Sequence, residues 1–294
     1  MVYLESFKLL DELDEHNSLI NEMQIYNGNY YPYGLFSYKE FRTIDFDDIT
    51  IFYGGNGSGK TTLLNIVSEK INANRNNKSY KGMLFKKYAD SCECKFERKY
   101  LCDEIKLISS DDVFDYLLDV RAINTGVNRR KADLAHGYLE DAYGSEETSR
   151  FQEYNNLKRK VETKRMSKSQ FIRHNLVNNN IQEQSNGETA LNFWQTEIKE
   201  NALYILDEPE NSLSAENQLK LKQFIEESVR FYKCQFIIST HSPFLLSLYG
   251  AKIYDLDENP VKVKKWNELK NVKVYYDFFK DNKDVFEIRR NNEI

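Results

Sequence analysis

One stretch combines residue types whose order admits specific chemistry: Gly54-Gly55-Asn56-Gly57-Ser58-Gly59-Lys60-Thr61-Thr62. A run of phosphates is held where several backbone N–H groups converge, and only glycine lets the main chain approach that closely. The spacing G-x-x-x-x-G-K-T is that of a phosphate-binding loop. In such a loop Gly54, Asn56, Gly57, Ser58, Gly59 and Thr62 form the cradle. Lys60 meets the β- and γ-phosphates, and the Thr61 hydroxyl is a ligand for Mg²⁺.

Mg-ATP chemistry needs a second acidic anchor at the end of a neighbouring strand. Ala202-Leu203-Tyr204-Ile205-Leu206 is an unbroken apolar run, as a buried parallel strand requires, and Asp207-Glu208-Pro209-Glu210 follows it. Asp207 would hold Mg²⁺ through its water shell, and Glu208 would be the base that orients the attacking water. A third piece, Ser239-Thr240-His241-Ser242-Pro243, follows the apolar run Gln235–Ser239. A histidine at a strand's carboxyl end can reach a γ-phosphate, because ligands of such sheets bind at that end. A fourth piece is Ser185-Asn186-Gly187-Glu188, ahead of a helix marked by Ala190, Leu191, Trp194 and Ile198. A hydroxyl, glycine amides and a helix N-terminus can meet a second face of a phosphate. Taken alone, the same four residues read as a helix cap.

The elements that must position these residues are legible around them. Ile49–Tyr53 is apolar and β-branched, so a strand leads into the loop, and Thr61–Val67 reads as the helix that leaves it. Residues 1–50 read as β-rich, an antiparallel layer beside the main sheet. Within them Tyr33 is either an aromatic that stacks on adenine or a packed ring. Residues 72–82 read as a polar loop and 83–110 as short strands. Cys92, Cys94 and Cys102 have no adjacent fourth ligand, so they read as ordinary thiols rather than a metal site. Asp111 and Asp112 cap a helical pattern whose Val113, Phe114, Leu117 and Leu118 share one face. From there to 185 the text is helical and charged, an inserted subdomain. It contains the basic run Lys158–Lys168, either a solvated helix face or a patch for nucleic acid or an acidic partner. Residues 215–232 form an amphipathic helix. The tail after Ala251 reads as short strands and a final helix around Tyr275–Lys280.

Composition bounds the function classes. The 294 residues are 40% hydrophobic and 30% charged, enough to bury a core and stay soluble. A net charge of −5 argues against a generally basic nucleic-acid-binding surface. Four cysteines make no disulfide framework, which fits a reducing cytoplasm. No apolar run approaches the roughly 18 residues that a membrane span needs, and the start has no signal-peptide pattern.

In their order, the four pieces resemble the ATP-binding-cassette ATPases over most of the chain. Gly54–Thr61 matches the Walker A motif, and Leu203–Asp207 with Glu208 matches Walker B and its catalytic glutamate. Ser185–Glu188 looks like a variant signature motif, Asn211–Ser214 stands at the D-loop, and His241 stands at the switch histidine. Asp-Glu-Pro-Glu-Asn at 207–211 and Thr-His-Ser-Pro at 240–243 are similar to soluble ATPases related to overcoming-lysogenization-defect proteins and DNA-repair heads. Two features depart from the pattern. Asn186 and Glu188 replace Gly and Gln in the signature, and no Gln lies between Gln24 and Gln152 to serve as the Q-loop residue. Asp111, at the strand-to-helix junction, is the substitute metal-side ligand.

The resemblance implies an α/β P-loop ATPase head with an antiparallel β layer and a helical insert. Residues 1–110 and 186–294 would build the core around an insert at 111–185. It implies ATP and Mg²⁺ as cofactors, with ATP held between two chains. Ser185, Gly187 and Glu188 of one chain would face the Walker motifs of the other, and a homodimer is the simplest closure. The implied function is ATP hydrolysis whose dimer closure switches a partner, an effector from a neighbouring gene, in DNA repair or defence against foreign DNA. The alternatives are a transporter's nucleotide-binding subunit and a slow ATP-sensing switch.

Overall fold

The computed structural model describes residues 1–19, 30–76, 82–99, 102–143 and 186–290. They divide into two compact units, Met1–Val113 with Asn186–Ile294, and Phe114–Ser185. The first unit starts with β1 (Leu4–Lys8) and α1 (Glu12–Leu19), then β2 (Thr43–Asp45) and β3 (Ile49–Tyr53). Next come α2 (Lys60–Lys70), β4 (Asn74–Arg75), α3 (Met83–Ser91), β5 (Glu93–Phe96) and β6 (Glu104–Ser109). Helix α4 (Ser110–Tyr143) leaves the first unit and is what is described of the second. The chain re-enters through α5 (Asn186–Glu197), β7 (Ala202–Asp207), α6 (Ala215–Tyr232) and β8 (Gln235–Ser239). It ends with α7 (Pro243–Leu246), β9 (Lys252–Asp255), β10 (Lys262–Lys264), α8 (Lys270–Asp281) and α9 (Lys283–Arg290).

The main sheet runs in the order β10-β9-β3-β8-β7-β6-β4, parallel except for the β10–β9 pair. Every residue of β3 and β8 is buried, as is β7 up to Asp207. That explains why these strands read as continuous apolar runs without alternation. Register brings their carboxyl ends level, because Ser239 pairs with Phe52 on one side and with Asp207 on the other. A second, antiparallel sheet has the order β2-β1-β5. One buried cluster joins Phe7 of β1, Leu63 and Val67 of α2, Phe85 and Tyr88 of α3, and Leu203 and Ile237 of the main sheet. The helix that leaves the glycine-rich loop is therefore seated in the core.

The two sheets are also joined by a buried polar side chain. The amide of Gln235 accepts from Tyr3 N at 2.8 Å and Leu4 N at 2.9 Å, and donates to Leu4 O at 2.9 Å and Asp47 O at 3.2 Å. A fully buried amide is tolerated because its donors and acceptors are all used.

Two sequence expectations are corrected. The first 50 residues are less β-rich than expected, since α1 and a short 3₁₀ turn at Ser37–Lys39 replace strands. The Asp11 side chain accepts from Asp14 N at 2.8 Å and starts α1, while Phe36, Phe41 and Phe46 are buried as plugs rather than set in alternating strands. The second correction is α3, which stands where a strand was expected. Its buried Leu84, Phe85, Tyr88 and Ala89 follow helical spacing.

At the start of α4, Asp112 makes the cap. Its carboxylate accepts from Ser109 N at 2.7 Å, and Ser109 Oγ stands 3.4 Å from Asp112 N. No described helix is long and apolar enough to cross a membrane.

Candidate active site

The loop between β3 and α2 takes its shape from its glycines. Gly57 and Gly59 have φ of 81° and 102°, a region that L side chains rarely adopt. A Cβ on Gly59 would also stand 3.2 Å from Phe36 Cε1, and one on Gly54 only 2.6 Å from Ser58 Oγ. The loop curls around Lys60, whose Nζ donates to Gly54 O at 2.8 Å and Gly55 O at 3.2 Å. Asn56–Thr62, Tyr31, Leu35 and Glu208 line a cleft of about 300 Å³.

The acidic residues meet this loop because β7 and β8 lie next to β3. Thr61 Oγ1 donates to Asp207 Oδ1 at 3.2 Å, and Lys60 Nζ lies 3.8 Å from Glu208 Oε1. Ser239, one register step away, donates its hydroxyl to the same Asp207 oxygen. Burial pushes the Asp207 carboxyl up from its ordinary value, and the Ser239 and Thr61 hydroxyls act against that shift. Glu208 sits at φ 48°, with its N–H shared between Ser239 O at 3.0 Å and Ser239 Oγ at 3.2 Å. Asn211 Nδ2 donates to Glu208 Oε2 at 3.2 Å. His241 Nδ1 lies 3.9 Å from Glu208 Oε1 and 3.6 Å from Glu210 Oε1. Glu210 in turn holds the histidine's backbone, accepting from His241 N at 3.0 Å and Thr240 Oγ1 at 2.7 Å.

Gly54, Asn56, Gly57, Ser58, Gly59, Lys60, Thr61, Thr62, Asp207, Glu208 and His241 thus belong to one constellation. Asp111 stands apart. Ser109 pairs with Asp207 in the ladder, but the Asp111 carboxylate two residues on is exposed and, among the described residues, hydrogen-bonds neither Thr61 nor Asp207. Gly187 and Glu188 lie in the first turn of α5, and a Cβ on Gly187 would come within 2.8 Å of Asn217 Nδ2, so glycine lets that turn press on α6. Ser185 and the run Lys158–Lys168 lie outside the described residues.

Tyr33 is a packed ring. It meets Tyr88 edge-on at 4.9 Å, and Ser18 and Tyr33 share a hydrogen bond. Tyr31 is the aromatic at the cleft, with its hydroxyl 2.7 Å from Thr62 Oγ1. Of the three nearby thiols, Cys92 is buried and its Sγ reaches Tyr88 O. Among the described residues no group of three His, Cys, Asp or Glu could hold a metal ion.

Sequence reasoning missed two residues behind the loop. Lys39 is 7% exposed, and its Nζ donates to Ser58 O at 3.0 Å and Leu256 O at 2.6 Å. Asp257 accepts from Gly55 N with both oxygens, at 3.0 Å and 2.9 Å. A lysine in an aromatic-rich segment and an acid in a late turn carry no local signal of this contact. Ser239 had a signal, since a hydroxyl at the end of a buried strand needs an acceptor.

Comparison with known proteins gives a concordant family. The family model described as "ABC transporter" matches residues 42–211, more than half of the chain. No curated protein matches the chain. Among solved structures, the SMC head domain from Thermotoga maritima is similar with a TM-score of 0.41 and 14% identity, over 90% of this chain and 98% of that one. A dimeric, post-hydrolysis ATP-binding cassette bound to ADP and Pi is similar with a TM-score of 0.35 and 14% identity, over 76% of this chain and 88% of that one.

Proposed function

The chain belongs to the ABC transporter family, and from that premise we propose that it hydrolyses ATP with Mg²⁺ and uses ATP-driven pairing of two copies to switch a partner. The observation that carries this reading is the meeting of two motifs 146 residues apart, Thr61 Oγ1 standing 3.2 Å from Asp207 Oδ1. A hydroxyl and a carboxylate are hard oxygen donors, the kind Mg²⁺ takes together with water and phosphate oxygens. Ser58 Oγ, buried in the loop and without a hydrogen-bond partner among the described residues, is a further group that a phosphate chain would satisfy. The metal, when bound, would neutralise charge developing between the β- and γ-phosphates.

The chain's own residues do the rest. Loop amides and Lys60 bind and orient the phosphates. Glu208 is the base: its backbone is pinned by Ser239, and Asn211 steadies one carboxylate oxygen, leaving Oε1 toward Lys60 and His241. Glu208 Oε1 takes the water's proton, while His241, held through its backbone by Glu210, meets the γ-phosphate. Because each chain carries one copy of every motif, two copies related by a two-fold axis would complete two sites. Ser185, Gly187 and Glu188 of each would face the ATP of the other.

Support for a setting in DNA repair or defence is the Asp-Glu-Pro-Glu-Asn and Thr-His-Ser-Pro pattern, with the basic run Lys158–Lys168 as the place where nucleic acid would bind. The absent Q-loop Gln favours a second reading, a slow ATP-sensing switch, and measured turnover separates the two.

The test is Glu208→Gln, which keeps shape and removes the base. We expect ATP affinity to hold, hydrolysis to fall ~10²–10⁴-fold, and a dimer to accumulate only with Mg-ATP in light scattering. Adding Ser185→Arg should abolish that dimer. Hydrolysis at the parent rate would remove Glu208 as the base, and a monomer at saturating Mg-ATP would remove the homodimer.

A further inference from the structure

His241 is an exposed side chain on a clamped backbone. The side chain is 47% exposed, whereas Thr240 and Ser242 on either side of it are buried. Thr240 N donates to Phe52 O at 3.3 Å, His241 N to Glu210 Oε1 at 3.0 Å and Ser242 N to Thr240 Oγ1 at 3.0 Å. One further contact comes from the tail of the chain. Asn271, in the first turn of α8, donates from Nδ2 to His241 O at 2.7 Å. The backbone N–H of the same residue donates to the Tyr53 hydroxyl at 3.0 Å. Tyr53 is the last residue of β3, next to Gly54 of the phosphate loop, and it is buried.

The two bonds of Asn271 differ in what they do. A helix leaves its first N–H groups without intrahelical partners, and the residue that starts α8, Leu269, makes no side-chain cap. The Tyr53 hydroxyl serves one of those groups, which fixes the start of α8 to the strand that carries the loop. The side-chain bond adds nothing to the helix. It is open to solvent, so water can replace it with little change in stability. Residue choice makes the same point. A carboxylate here would suit the positive end of the helix better than an amide does. What an aspartate lacks is the N–H that meets His241 O. The acids beside the ring, Glu210 and Glu208, stand 3.6 Å and 3.9 Å from Nδ1, too far to hold it by hydrogen bonds. The ring is therefore aimed by its backbone, and Asn271 indexes that backbone to β3.

We propose that Asn271 is a positioning residue for His241, setting through its bond to His241 O where the imidazole meets the γ-phosphate. The proposal rests on the reading that His241 meets the γ-phosphate, and it adds the residue that aims it. Asn271 acts through the histidine and not on the nucleotide itself. Its effect should therefore be confined to nucleotides that carry a γ-phosphate, and it should vanish once the imidazole is removed. It should also fall on kcat, because a reacting group misplaced by about 1 Å can cost ~10²-fold in rate.

The full chain is compared with Asn271→Asp, Asn271→Ala, His241→Ala and the double variant Asn271→Asp with His241→Ala. Asn271→Asp keeps the size and the helix start and loses the donor, and Asn271→Ala loses the donor without adding charge. Steady-state hydrolysis of Mg-ATP gives kcat and KM, calorimetry gives the affinity for Mg-ADP, and urea unfolding gives the midpoint. We expect kcat to fall ~10–100-fold in both Asn271 variants, with Mg-ADP affinity and the urea midpoint near those of the parent. In the His241→Ala background, Asn271→Asp should cost nothing more, because the two residues act as one unit. If the aspartate variant does not fold, the alanine variant decides in both backgrounds. Where the parent turns over too slowly to time, the ratio of affinities for Mg-AMP-PNP and Mg-ADP replaces kcat and should fall in both variants. Parent kcat in Asn271→Ala, additive losses in the double variant, or an equal loss of Mg-ADP affinity would each overturn the proposal. His241→Ala at the parent rate is a different failure: it would overturn the reading of His241, and the proposal with it.

Discussion

Replacing Lys39 by Met tests whether the phosphate loop is held from behind. The ammonium bridges two buried carbonyls, Ser58 O in the loop and Leu256 O after β9, at 3.0 Å and 2.6 Å. Burial lowers its pKa, so the charge is kept there at a cost. Methionine has similar length and no donor, and it strands both carbonyls. Each would cost about 1–3 kcal/mol, and relief of the buried ammonium returns part, so we expect a net loss of about 2–4 kcal/mol. Some of that loss falls on the loop, because Ser58 is part of it. If a share of about 1.4–2.8 kcal/mol does, Mg-ATP binds ~10–100-fold more weakly. Calorimetry with Mg-ATP reads the affinity, and urea unfolding reads the stability. Asp257→Asn, which keeps shape but weakens the acceptor for Gly55 N–H, should shift affinity in the same direction by less. A Lys39→Met protein that is less stable yet binds Mg-ATP like the parent would refute the reasoning, because the lysine would then serve the fold alone.

Two further substitutions probe the loop and the sheet junction. Lys60→Ala removes the cation proposed to meet the phosphates and should weaken Mg-ATP binding ~10–100-fold, the worth of one charge-assisted contact; equal affinities by calorimetry would unseat the assignment. Gln235→Leu strands Tyr3 N, Leu4 N, Leu4 O and Asp47 O, and should destabilise the protein by at least ~2 kcal/mol in urea unfolding while leaving Mg-ATP affinity near the parent value.

What could be read from the text alone follows how local each constraint is. The loop at 54–61 is legible because its chemistry demands glycine and lysine at fixed spacing within one turn of chain. The strands ending at Tyr53, Asp207 and Ser239 are legible because burial on both faces leaves nothing but apolar residues. Helix α3 was hidden because nine residues with four buried apolar positions resemble short strands until the spacing is counted. Tyr33 and Tyr31 differ by two places, and only tertiary packing decides that Tyr31 reaches Thr62 while Tyr33 turns to Tyr88. Asp111 and Asp112 differ by one, and the helix cap selects the second. Lys39 reaches Leu256 across 217 positions, a distance over which sequence pattern carries no information.

The strand order is the least legible feature and the one on which the site depends most. Nothing in the text places β8 between β3 and β7, yet that order sets Ser239 beside both Phe52 and Asp207. From there one hydroxyl serves two acids, donating to Asp207 and accepting from Glu208 N at 3.2 Å. Had β7 been the neighbour of β3, Asp207 would still end a strand, but Ser239 would no longer lie between the phosphate loop and the acids. The same placement carries Thr240 and His241 past the sheet end to Glu210, with Thr240 N donating to Phe52 O at 3.3 Å. The geometry of the candidate site is thus a consequence of ladder register, with the motifs supplying the side chains and β8 supplying their spacing.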